Sequence, residues 1–131
     1  LCGAGEVTSP APGSKLRKEL LETWRTALRK DLRGRKILFQ VRTLKVDGKW
    51  AFADVEILDS NGRRMDWNAT AYEQQVAEGF MDQCSQCLFV KKGNHWTVKK
   101  MAIGPTDVVW LDWPEKFGAP KSIFPFPKGN F

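Results

Sequence analysis

The sequence predicts an α+β fold, a long N-terminal helix packed on a curved antiparallel sheet of about four to five strands. Three observations carry that expectation. Leu16, Leu20, Trp24, Ala27, Leu28 and Leu32 recur every three or four residues, the period of a helix with one apolar face. Two pairs of β-rich runs are each joined by a two-residue turn containing glycine, the pattern of a hairpin. Helix first and hairpins after is an order that builds one helix layer on one antiparallel sheet.

The helix has clear ends. Ser14 is a good N-cap and Gly34 a good stop, which allows about five turns between them. The first hairpin is "KILFQVRTLKV", then Asp47-Gly48, then "KWAFADVEIL". Placing Val46 opposite Lys49 puts Leu38, Leu44, Val46, Ala51, Ala53, Val55 and Ile57 on one face. Ile37, Phe39, Val41, Trp50, Phe52 and Leu58 then share the other. Both faces are apolar, so both need a cover. The helix serves one, with close approach at Ala51 and Ala53. The C-terminal segment or a partner chain, as in a homodimer, serves the other.

Asn61-Gly62 marks a further turn before a short strand near "RRMDW". A short helix is expected from Tyr72 to Met81. "CLFVKK", Gly93-Asn94 and "HWTVKKMAI" form the second hairpin. Thr106 or Asp107 caps one helical turn, and Pro114 starts another that Gly118 ends. From about residue 119 the chain alternates Pro with Phe, an extended tail that should bury Phe124 and Phe126.

Length sets the domain count. The chain of 131 residues fits one domain, residues 15–131, behind a Gly- and Pro-rich segment, 1–14. That first segment reads as a leader remnant or flexible linker. Cys2 and Ala4 are small enough for the positions a signal peptidase reads, with cleavage before Gly5. The rival reading makes Cys2 a lipidated anchor. Both point to export from a bacterial cytoplasm, to the periplasm or beyond. No run approaches the roughly 20 apolar residues of a membrane-spanning helix.

The net charge is +6, and it is concentrated. Residues 15–36 hold nine basic side chains and three acids, 9 − 3 = +6, so the remainder is neutral overall. A basic helix face can be plain solvated surface, or it can meet an acidic protein or an anionic cell-envelope polymer. Nucleic acid is not expected, because no recognition motif accompanies the charge and the helix's own aromatic, Trp24, is on its core face. Six Trp and eight Phe exceed what one small core requires. The candidate binding residues are therefore Arg25, Arg29 and Arg33 on the helix, with Trp110 and Trp113 in "PTDVVWLDWP".

Candidate chemistry centres on "MDQCSQCLFVKKGNHW". A zinc site needs about four ligands, and Cys84, Cys87 and His95 supply three. A redox pair needs a thiolate at a helix N-terminus, whereas this motif precedes a strand. A structural Cys84–Cys87 disulfide suits an exported protein, provided "CSQC" is a turn. If the whole stretch is strand, the two cannot pair, because residues i and i+3 sit about 10 Å apart on opposite faces. The expectation is a disulfide, with no metal and no cofactor. Asp54 and Glu56 share a strand face and with His95 are first suspects for acid–base work. No catalytic motif joins them, so the chain is expected to be non-catalytic.

The element order over residues 14 to about 103 resembles the cystatin-like roll, shared with the nuclear transport factor and SnoaL group. "QVAEG", Gln75 to Gly79, is similar to the cystatin inhibitory loop Gln-x-Val-x-Gly but has Ala77 at its third position. Trp113-Pro114 reverses the Pro-Trp pair of that family. Protease inhibition is therefore not carried over. "IGPTDVVWLDWPEKFG" resembles small exported bacterial proteins of unassigned activity. The basic helix face and the surplus of aromatics point to an exported, non-catalytic domain that binds a protein or a cell-envelope component. The alternative, implied by the likeness to SnoaL-type folds, is a small enzyme or ligand pocket.

Overall fold

The structure is a computed structural model and describes residues 7–126. Helix α1 (Lys15–Leu28) is followed by strands β1 (Ile37–Asp47) and β2 (Trp50–Asp59), then a short helix α2 (Glu73–Ala77). Strands β3 (Cys84–Lys92) and β4 (His95–Ala102) follow, then α3 (Trp113–Phe117) and a 3-10 turn at Lys121–Ile123. The four strands form one antiparallel sheet in the order β1-β2-β3-β4, so every sheet neighbour is a chain neighbour. The predicted α+β class is what is observed. The leader expectation on Cys2, Ala4 and Gly5 lies outside the described residues.

Helix α1 starts where predicted. The Ser14 hydroxyl accepts from the Arg17 N–H at 3.3 Å, satisfying one of the open donors of the first turn. Regular helix ends at Leu28, and a looser turn carries the chain through Leu32 to Gly34, whose φ of 79° a glycine adopts freely. Leu20, Trp24, Leu28 and Leu32 are buried, while Ala27 is exposed and falls outside the stripe.

Both hairpin turns place glycine at a positive φ in the first of two loop positions, Gly48 at 61° and Gly93 at 60°. No other residue of either loop has positive φ, so these are Gly-X turns of the II′ kind. The first register differs from the expectation by one residue on each strand. Asp47 faces Trp50 and Val46 faces Ala51, with Gly48 and Lys49 forming the loop. The parity of the pairing survives, so residues 44, 46, 51, 53, 55 and 57 do share a face.

One expectation about that hairpin fails for a physical reason. Val41 pairs with Val55 but Thr43 pairs with Asp54, leaving Arg42 as an extra residue in β1. This bulge reverses the alternation. Before it, Ile37, Phe39 and Val41 turn toward α1, and Leu38 turns outward with 45% of its surface exposed. The helix-side core thus gathers Trp24, Phe39, Val55 and Phe89 around Ala51 and Ala53, with Trp24 stacked on Phe39 at 5.0 Å.

The second face is covered by the C-terminal segment. Phe52 and Leu88 are fully buried beneath Trp113, Ile123 and Phe124. Phe52 meets Phe124 at 4.8 Å and Trp113 at 6.3 Å. Burying each such side chain contributes roughly 1.5–3 kcal/mol. Trp113 is therefore a core residue, 3% exposed, and not a free binding surface. Trp110 is half-buried against Phe52, Phe124 and Phe126. The Phe-rich end does bury Phe124, although a 3-10 turn interrupts its extended path.

Between β2 and β3 the expected strand near "RRMDW" is a single bridge, Leu58 with Arg64. The expected helix over 72–81 is the shorter α2, closed by Gly79 at φ 77°.

Candidate functional site

The cations of α1 and its following turn meet the start of β1 in an open groove of about 450 Å³. Arg25, Arg29, Arg35 and Lys36 line it, and Leu32, Ile37 and Leu38 supply apolar surface. The amphipathic helix dictates this placement. Burying Leu28 and Leu32 turns Arg25 and Arg29 toward the groove side, and the Gly34 turn folds Arg35 and Lys36 back beside them. Glu22 is the one acid of the lining, and it is already paired with Arg25. That ion pair is the only one among the described residues, so most of the basic charge is unneutralised. Arg25 also lies over the Phe39 ring, 5.0 Å from its centre. Arg35 reaches the carbonyls of Asp66 and Asn68, which fixes one wall.

Of the predicted binding residues, Arg25 and Arg29 are brought together here. Arg33 is exposed but does not line the groove. Trp110 and Trp113 belong to the other face of the sheet. Sequence reading missed Arg35, Lys36 and Leu38. The charge run contained the first two, but the bulge that exposes Leu38 has no sequence signature.

The Cys-x-x-Cys segment is strand throughout, so the expected disulfide is not formed. Cys84 and Cys87 are free thiols three residues apart in β3, and they point to opposite faces. Cys87 is buried in the helix-side core, where desolvation pushes its thiol well above the usual range. Cys84 is half-buried on the outer face, and Arg42 donates to its Sγ at 2.6 Å. That contact, with Asp54 nearby, raises the Arg42 guanidinium further. His95 stands opposite Lys92 at the exposed hairpin tip, five residues along β3 from Cys87, roughly 17 Å. Among the described residues no group of His, Cys, Asp and Glu could hold a metal.

Asp54 and Glu56 do share the outer face, paired across to Gln86 and Cys84. Asp54 accepts from the Gln86 amide at 3.0 Å and forms no ion pair among the described residues. Six residues of β3 separate this pair from the position opposite His95, so the three suspects for acid–base work are not assembled. The tract Gln75–Gly79 begins within α2. Its Gln75 amide is committed to the Phe80 and Ile103 carbonyls at 3.0 and 3.1 Å, which makes it a structural clasp.

No described helix is long and apolar enough to cross a membrane. Compared with protein families, characterised proteins and solved structures, the chain has no match.

Proposed function

We propose that this chain is a non-catalytic binding domain that engages an acidic protein or anionic cell-envelope component through the α1–β1 groove. The observation that supports this is the lining itself, four cations beside apolar surface with a single, already paired acid. Cations that outnumber acids in a concavity raise the local potential and steer anionic partners. The element order, one helix and then a four-stranded meander, supports placing the fold with the cystatin-like roll. The small residues of "LCGAGEV" support an exported bacterial setting, in the periplasm or outside the cell.

Titration with polyglutamate, followed by calorimetry, tests the reading. Binding should weaken by about tenfold between low and physiological salt, as screening of exposed charges requires. Arg25→Glu with Arg29→Glu should abolish it. Salt-independent binding, or none, would sink the proposal.

A further inference from the structure

The outer edge of β1 carries more information than the groove at its start. β1 is an edge strand, and its described pairing on that side is one antiparallel bridge, Thr8 with Val46. Their two backbone hydrogen bonds, 2.9 and 2.8 Å, show that Val46 turns its N–H and C=O outward. The same register sets Pro10 against Leu44. Proline has no N–H to donate, so the ladder stops there. From Ile37 to Thr43, roughly 23 Å of strand, the edge is left without a partner among the described residues.

A long bare edge is a template for another strand. Its charge decides which strand. At the start of β1 stand Arg29, Arg35 and Lys36 of the groove. Further along, a second hollow of about 220 Å³ opens where the N-terminal segment leaves the edge. Arg17, Arg42 and Lys45 line it, and no acid does. Two copies of β1 paired edge to edge would bring these cations onto one another. An acidic strand would neutralise them while completing the ladder.

We infer that the outer edge of β1 takes an extended, acidic segment of a partner protein as an added strand. This rests on the groove reading above and deepens it. Backbone hydrogen bonds supply the register, and alternate acidic side chains meet the cations flanking the edge. The Arg42 bulge divides the edge, so a matching segment pairs best with one side of it, beside the groove or beside the second hollow.

The test uses the full chain and two probes, a nine-residue peptide alternating glutamate with valine, and the same peptide N-methylated at every second backbone nitrogen. Amide exchange read by NMR should slow at outward β1 amides between Ile37 and Thr43 when the first peptide binds. The methylated peptide, equal in charge but short of donors, should bind at least tenfold more weakly. Equal binding by both, without protection in β1, overturns the strand addition and leaves the groove reading standing. Failure of both peptides and of polyglutamate overturns the two together. Protection of β1 that appears without peptide and grows with protein concentration gives the edge to a second copy and overturns the inference.

Discussion

The Tyr72 hydroxyl donates a 2.8 Å hydrogen bond to Asp31 Oδ2, tying the start of α2 to the turn after α1. The Ala71 N–H donates to the Asp31 carbonyl at 2.9 Å, and Trp67 packs edge-on against the Tyr72 ring. The β2–β3 connection is thereby fastened to the end of the helix that carries the groove.

That bond sets an alkaline limit. Partial burial, then the hydrogen bond to Asp31 and its charge, raises the Tyr72 phenol above its ordinary value near 10. Below pH 10 both folded and unfolded chains hold the proton, and stability is unaffected by it. Above pH 10 the unfolded chain releases the proton first, so stability falls as pH rises. Tyr72 is the sole tyrosine, so tyrosinate absorbance reads this one group. Its titration should come late, or coincide with unfolding. Tyr72→Phe should cost about 1 kcal/mol at neutral pH and remove this alkaline slope.

Gly104 should not tolerate a side chain. Its φ is +60°, and a Cβ there would lie 2.5 Å from Met81 Sδ and 3.0 Å from the Asp82 carbonyl. The Gly104 N–H also donates to the buried Ser85 hydroxyl at 2.9 Å. Gly104→Ala should lower stability by about 1–3 kcal/mol in urea unfolding, with the slope unchanged.

The two strand cysteines should differ in reactivity. In a Cys2→Ser background, a thiol reagent should label Cys84 in the folded protein and Cys87 only on unfolding, as peptide mass mapping would show. Burial protects Cys87 by access and by holding its thiol protonated. Labelling of Cys87 at the rate of Cys84 would mean that the core opens far more readily than its packing implies.

Trp24 should be the costliest residue to truncate. It has no exposed surface, stacks on Phe39 and meets Phe89 edge-on at 6.3 Å. Trp24→Ala should cost about 3–5 kcal/mol. Trp24→Phe should cost much less, because it also removes an indole N–H that has no partner in the core.

Much of this architecture was legible in advance. Ser14, Gly48, Gly93 and Gly118 punctuate the chain where the sequence puts punctuation, whereas regular helix stops at Leu28, short of the five turns expected up to Gly34; Leu20, Trp24, Leu28 and Leu32 are buried as expected. What was hidden depends on tertiary context. Nothing local marks Arg42 as a bulge, yet that extra residue exchanges Leu38 for Phe39 in the core. "CSQC" has the composition of a turn, and pairing with Glu56 to Ala53 draws it into the sheet. Trp113 looked like a recognition residue because a sequence does not say which aromatic will cover Phe52. The basic run was visible, but its assembly into a groove required the Gly34 turn to bring Arg35 and Lys36 beside Arg29.

The order in which the two faces are covered has a consequence for synthesis. Helix and meander leave the ribosome before residues 110–126 do, and each hairpin closes over a two-residue loop. The helix-side layer can therefore fold while Phe52 and Leu88 still face water, since their cover is encoded after the meander. During that interval the nascent chain displays an apolar sheet face on one side and a bare strand edge along the other, the two features on which unwanted association begins. Slow translation of the closing segment would prolong the interval, so chaperone demand should rise with the delay before Trp110 to Phe126 emerge.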